Sequence, residues 1–149
     1  MYKRVGLYED EQSTIYLVPL GETAKNKYDK EIDAVLVISS PYTDEELYQK
    51  VMEAFELCYS LVPEEGNVAT PLEKLLKIKG YKKATRNKKY VSLYWNNQDG
   101  YSVTPTKKDS YGAYDDLLDH SFSLGKKPAY GDFARAIREA LGLSTVVDS

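Results

Sequence analysis

Near the amino terminus, apolar residues recur at every second place. Val5 and Leu7 form one such pair and Ile15 and Leu17 another, with the polar stretch Glu9, Asp10, Glu11, Gln12 between them. A period of two sets side chains on one face of an extended chain, so the pattern predicts a half-buried hairpin. The same parity returns at Val91, Leu93 and Trp95, and then at Tyr101 and Val103, around a turn rich in Asn, Asp and Gly. Residues 34–39 (AVLVIS) predict a third strand, echoed at 120–125 (HSFSLG); the first run is apolar on both faces, which places it centrally in a sheet. The period then lengthens. Leu47, Val51, Ala54, Phe55 and Cys58 make one helical stripe, opened by a Thr43/Glu46 capping box, and Phe133, Ile137, Ala140 and Leu141 make a second.

These two runs are one unit written twice. At a constant offset of 86, Lys3 meets Lys89, Val5 meets Val91, Leu7 meets Leu93, Pro19 meets Pro105, Asp33 meets Asp119, and Glu53, Ala54, Leu57 meet Glu139, Ala140, Leu143. Such a register without insertion predicts a tandem repeat over about 3–58 and 89–144. Between the copies, Thr70 as N-cap, Pro71 at the first turn, Glu73 closing a capping box and Gly80 as the stop predict a helix over about 70–80, with Leu72, Leu75 and Leu76 inward. Residues 61–69 form the clearest loop, and 21–31 and 107–116 read as long connections. The expected fold is a single α+β domain over 1–149. Two β-β-β-α units share one mostly antiparallel sheet, helices cover one face of it, and an extra helix joins the repeats.

Composition narrows the class. A chain of 149 residues fits one domain with a real core, and no apolar run approaches the ~18 residues of a membrane helix. Met1 leads straight into a strand pattern without a signal-peptide segment, and Cys58 is the sole cysteine, so a cytoplasmic protein with a buried structural thiol is expected. The net charge of −3 hides an asymmetry: residues 74–89 hold eight bases and no acid, leaving twelve bases against twenty-three acids elsewhere, a balance of −11. That field favours a basic partner and repels nucleic acid over most of the surface; no membrane partner is expected. The 14 tyrosines fit strands, and they also fit a protein-binding surface.

No catalytic or metal constellation is legible. His120 is the lone histidine, and on a strand its neighbours Asp119 and Ser121 would point to the other face. One Cys and one His do not make a zinc site, no glycine loop cradles phosphate, and neither a cofactor nor a small-molecule substrate is implied. Paired carboxylates among the acidic clusters would be the route to a hydrolase, although turn solvation and the helix dipole account for those clusters. Lys82, Lys83, Arg86, Lys88 and Lys89, set beside Tyr81 and Tyr90, would be the route to a nucleic-acid-associated regulator acting through 74–89; a solvated linker, with lysines guarding an edge strand, is the simpler reading.

Taken together, YTDEELYQKVMEAFELC, then TPLEKLLKIKGYKKATRNKKYVSLYWNNQDGYSVTPTKKDSYGAYDDL, then GDFARAIREAL resemble the CdiI-type immunity proteins of bacterial contact-dependent growth inhibition systems. The resemblance runs over nearly the whole chain. It rests on the order of an acidic-capped helix, a Leu-rich helix with a basic tail, the VSLYW/YSVTPT hairpin and a closing amphipathic helix. It implies a cytoplasmic antidote, not an enzyme, that binds the C-terminal toxin domain of a cognate system, many of which are nucleases, and occludes its active site or substrate surface. Residues kept in both copies serve the scaffold. Glu9, Asp10 and Glu11 on the first turn and Asp109, Tyr111 and Asp116 on the second copy's long loop, where the copies diverge toward exposed acids and an aromatic, are the expected toxin-binding residues.

Overall fold

Strands β1 (Tyr2–Glu9) and β5 (Lys89–Asn96) lie side by side at the middle of one antiparallel, eight-stranded sheet in the computed structural model, whose described residues are 1–146. In this pairing Gly6 faces Ser92, the residue 86 places further on, while Val5 faces Leu93 and Leu7 faces Val91. The pairing therefore repeats itself under a two-fold rotation through the Gly6·Ser92 pair. β1 turns back into β2 (Ile15–Glu22), and β5 into β6 (Gly100–Lys108). Two short strands share the outer edge of β2: β4 (Leu36–Ile38) beside residues 15–17 and β3 (Asp29–Glu31) beside 20–22. β8 (Phe122–Gly125) and β7 (Tyr114–Asp116) divide the outer edge of β6 in the same manner. Helices α1 (Asp44–Leu57) and α4 (Tyr130–Leu143) stand at the same offset and have the same length.

Local chemistry explains the elements. At the start of α1 the Thr43 hydroxyl accepts from the Glu46 N–H at 3.1 Å and Glu46 accepts from the Thr43 N–H at 3.2 Å, a cap worth about 1 kcal/mol. Asp44, Glu45 and Glu46 sit at the positive end of the helix dipole. Val5, Leu7, Ile15, Leu17, Val91, Leu93 and Val103 project from one face of the sheet and are fully buried beneath Leu47, Val51, Phe55, Phe133 and Ile137 of α1 and α4. Each such side chain contributes about 1.5–3 kcal/mol over its exposed state. Tyr48, Phe133, Tyr101 and Phe55 run edge-to-face through this layer, at 6.1, 5.5 and 5.2 Å between successive centroids.

Several expectations are corrected. Each unit has four strands, because the 21–31 and 107–116 connections begin as continuations of β2 and β6 and end in β3 and β7. The AVLVIS run forms an edge strand: β4 pairs only with β2, and Val37 is 43% exposed, since the apolar flanks of this run pack at the sheet border. The linker helix is the shorter α2 (Pro71–Leu76), stopped by Lys77 in the left-handed region (φ 56°) and not by Gly80, which precedes a further turn of helix, α3 (Tyr81–Ala84). Leu72 is buried and Leu76 partly so, whereas Leu75 is 44% exposed. α2 and α3 pack on the sheet face opposite α1 and α4, so helices occupy both faces. The basic residues of 82–89 lie on α3, its exit and the start of central strand β5, not on an edge. His120 ends a 3-10 turn (Leu118–His120) and is exposed. Cys58 caps α1 and is buried, its thiol donating to the Arg4 carbonyl at 3.2 Å, and burial pushes its pKa up.

Because Phe133 joins α4 to Tyr48 and to Tyr101, Phe133→Ala is expected to cost about 3–5 kcal/mol. Urea unfolding should show a lowered midpoint with an unchanged slope.

Candidate protein-binding face

The second face of the central strands carries the opposite parity: Arg4, Gly6 and Tyr8 from β1, Tyr90, Ser92 and Tyr94 from β5, and Ser102, Thr104 and Thr106 from β6. Only one end of it is roofed. There Tyr8, Val18 and Leu72 are buried together, with Tyr16, Leu76, Tyr81, Tyr90 and Tyr114 packed around them. The other end is an open cleft of about 480 Å³ with Tyr94, Ser92 and Thr104 on its floor, Asp29 on one wall, and Asp116, Leu118 and Ser121 on the other. Tyr2 stacks on Tyr94 at 5.8 Å and donates to Asp29 at 2.6 Å, which lifts the Tyr2 phenol to about 12; Arg4 approaches the same carboxylate at 3.8 Å.

Where roof and cleft meet, the tyrosines gather around one carboxyl. The Tyr8 hydroxyl donates to Glu31 Oε2 at 2.7 Å and lies 2.8 Å from the Tyr81 hydroxyl. Tyr8 and Tyr90 pack at 4.8 Å, and Tyr90 and Tyr114 at 5.0 Å. Gly6 makes room for this: a Cβ there would stand 2.7 Å from the Tyr90 ring. Tyr114 in turn donates to the Lys88 carbonyl at 2.7 Å, and the fully buried Lys108 donates to the Thr85 carbonyl at 2.8 Å, tying α3's exit to β6. Burial raises the pKa of the Tyr8, Tyr81 and Tyr90 hydroxyls well above the ordinary phenol value. Burial also lifts the Glu31 carboxyl from 4.5 to about 7, against the opposing effect of the Tyr8 hydrogen bond and with a further push from Glu73.

The expected binding residues fall into separate groups. Glu9 ends β1 opposite Lys89, and Asp10 and Glu11 lie on the turn that follows. Burial raises the Glu9 carboxyl, Lys89 opposes this and Asp10 adds to it. Asp10 Oδ1 accepts from the Gln12 and Thr14 N–H groups at 2.9 Å, so this side chain builds the turn; Glu11 is exposed and accepts from the Asn87 amide at 3.2 Å. Asp109 builds the β6–β7 turn likewise, accepting from the Tyr111 and Ala113 N–H groups, and leaves Tyr111 88% exposed. Asp116 lies on β7, not on a loop, and lines both the open cleft and the adjoining hollow at Tyr8 and Glu31. α3 and its exit bridge the two turns, through Asn87 to Glu11 and Lys82 to the Ser110 carbonyl.

Glu31 and the tyrosines around it escape a reading of the sequence, in which Glu31 closes a connection and each Tyr is one strand former among 14. The available signal was parity: Tyr8 and Tyr90 stand on the face that a half-buried hairpin leaves to water. Among the described residues no group of three or more His, Cys, Asp and Glu side chains is placed to hold a metal ion, and no helix is long and apolar enough to cross a membrane.

No protein-family model and no curated protein matches the chain. Among solved structures, a protein of unknown function from Neisseria meningitidis is similar to it with a TM-score of 0.74, at 12% sequence identity, over 97% of this chain and 96% of that one. The likeness covers the whole α+β fold and extends to the fold alone.

Glu31 gives a stability signature whose sign is set. A carboxyl raised from 4.5 to about 7 stabilises the folded chain fully below the lower value and ceases to do so as pH rises through the upper one. Relative to the wild type, Glu31→Gln should gain on the order of 2 kcal/mol between about pH 5 and about pH 8 in urea unfolding. An equal gap at both pH values would show that the carboxyl is not held in this way.

Proposed function

We propose that this chain is an immunity protein of the CdiI type. It binds the toxin domain of a cognate contact-dependent growth inhibition system, covers that domain's active site or substrate surface, and performs no reaction of its own. The observation that carries the reading is the open sheet face: a cleft of about 480 Å³ floored by tyrosine, serine and threonine, with Asp29 and Asp116 on its walls and Arg4, beside Asp29, its one cation among the lining residues. Tyrosine offers contact area at small entropic cost, and acids on both walls suit the basic substrate surface of a nuclease. The balance of −11 outside residues 74–89 supplies the long-range attraction. The alternative, a nucleic-acid-associated regulator using 74–89, has less behind it: Lys74 is paired with Asp33, and Lys82 and Lys89 donate to the Ser110 and Leu141 carbonyls.

Co-expression with the toxin encoded beside it should restore growth, and a gel-shift titration with tRNA should show no tight, salt-sensitive complex. Glu11→Lys combined with Asp116→Lys, two exposed positions, should slow association with the toxin by about tenfold at low salt, flatten its salt dependence and change dissociation little. Stopped-flow association rates that do not differ from those of the wild type would remove both residues from the interface.

A further inference from the structure

A second cavity, of about 620 Å³, shares Asp29 with the open cleft and lies between β3, the loop at 61–70 and helices α2 and α3. Part of its wall is apolar, from Leu20, Ile32, Leu61, Val62, Val68 and Pro71; the rest includes the acids Asp29, Glu31, Asp33 and Glu64 and the bases Lys30 and Lys74. Three of the apolar residues stay partly in water at 47% (Leu61), 68% (Val62) and 39% (Val68), unusual for branched aliphatic side chains set together. Glu31 and Tyr81 line both this cavity and the hollow that adjoins the cleft. Two lysines line the cavity and both have partners: Lys74 pairs with Asp33 at 2.8 Å, and Lys30 donates to the Glu64 and Gly66 carbonyls. Glu31 has one oxygen on the Tyr8 hydroxyl, and the side chain keeps partial contact with water.

Apart from the two lysines of the cavity wall, the groups around Glu31 bring little positive charge. Tyr8 and Arg4 come from β1, Glu73 from α2, Tyr81 from α3, Tyr90 from β5 and Asp116 from β7. Arg4 is the only cation in this set, and it pairs with Asp29. A cavity with an aliphatic wall and an excess of carboxylates over lysines, Glu31 among the carboxylates, matches one chemistry: a long aliphatic stem with a positive head.

We propose that this cavity receives a lysine or arginine side chain of the bound protein, its stem on the aliphatic wall and its charged head on Glu31. The proposal deepens the immunity reading by naming the partner's anchor, and it rests on that reading for the partner. Because the carboxyl titrates near 7 when the cavity is empty and must be ionised to hold the cation, binding releases a proton under mildly acid conditions.

The affinity of the adjacent-frame toxin domain for the full chain, measured by calorimetry at about pH 6 and about pH 8, should be about tenfold weaker at the lower pH. Glu31→Gln should hold the lower affinity at both. Val62→Arg, at an exposed position that leaves the fold alone, should weaken binding at both. A titration with N-acetyl-arginine amide, followed through the carbon NMR signal of the Glu31 carboxyl, should lower the midpoint of that carboxyl. Toxin binding that keeps its affinity and pH profile in Glu31→Gln, or its affinity in Val62→Arg, would overturn the anchor while leaving the immunity reading intact. A toxin that does not bind the wild type would end the immunity reading, and the arginine amide would still decide the cavity: an unmoved Glu31 midpoint rejects it.

Discussion

The pairing of β1 with β5 is the constraint on which the rest of the molecule depends. A strand-and-helix unit of this size has one short sheet and one amphipathic helix, too little to bury an apolar layer on its own. Joining the units edge to edge through Gly6·Ser92 brings Val5, Leu7, Val91 and Leu93 into one patch at the centre of the sheet, where α1 and α4 meet over it. The join also abolishes what would be the most exposed edge of each unit, the long outer side of β1 and of β5. The edges that remain are strands of three or four residues, too short to template pairing with another chain.

The two faces of that sheet meet different physical demands. Beneath α1 and α4 the near two-fold symmetry holds, and side chains at matching positions do matching work. On the opposite face the symmetry is broken by the single insert between the units. Glu31 sits across from Leu20, and Asp116 across from Thr106, the residue 86 places beyond Leu20, so the two acids occupy equivalent places on the sheet. α2 and α3 close over the first, drawing its carboxyl in among Tyr8 and Tyr81, and leave the second in water. One acid thereby becomes a half-buried carboxyl with a raised pKa and the other a surface charge, from the same position in the same motif. A duplicated scaffold with one asymmetric insert yields a partly roofed pocket and an open cleft side by side, which a pair of identical halves could not.

The distribution of tyrosine follows from the same division. On the buried face, aromatic residues pack edge-to-face and need no polar partner for most of their surface. On the other face, a side chain must satisfy a hydroxyl near the roof and tolerate water a few residues away, and tyrosine does both. Tyr8 and Tyr114 find acceptors in Glu31 and the Lys88 carbonyl, while Tyr2 finds one in Asp29 at the cleft's edge.

Periodicity alone was enough to read the hairpins, the two long helices and both capping boxes, because each is written in local spacing: two for a strand, three to four for a helix, three for a cap. The shared antiparallel sheet followed from the repeat at an offset of 86 and the small size of each copy. The edge position of β4, the shortness of α2 and the turn of α3 were not legible, since a run such as AVLVIS has the same apolar content in the middle of a sheet as at its border. Of the expected site residues, the sequence placed Asp10 on a turn and Asp109 on a long loop, but did not show that their carboxylates are bonded to turn amides. Glu31 was hidden altogether. Its neighbours Tyr8, Tyr81 and Tyr90 are 23, 50 and 59 positions away along the chain, and desolvation depends on what closes over a group in space, which no window of neighbouring residues encodes.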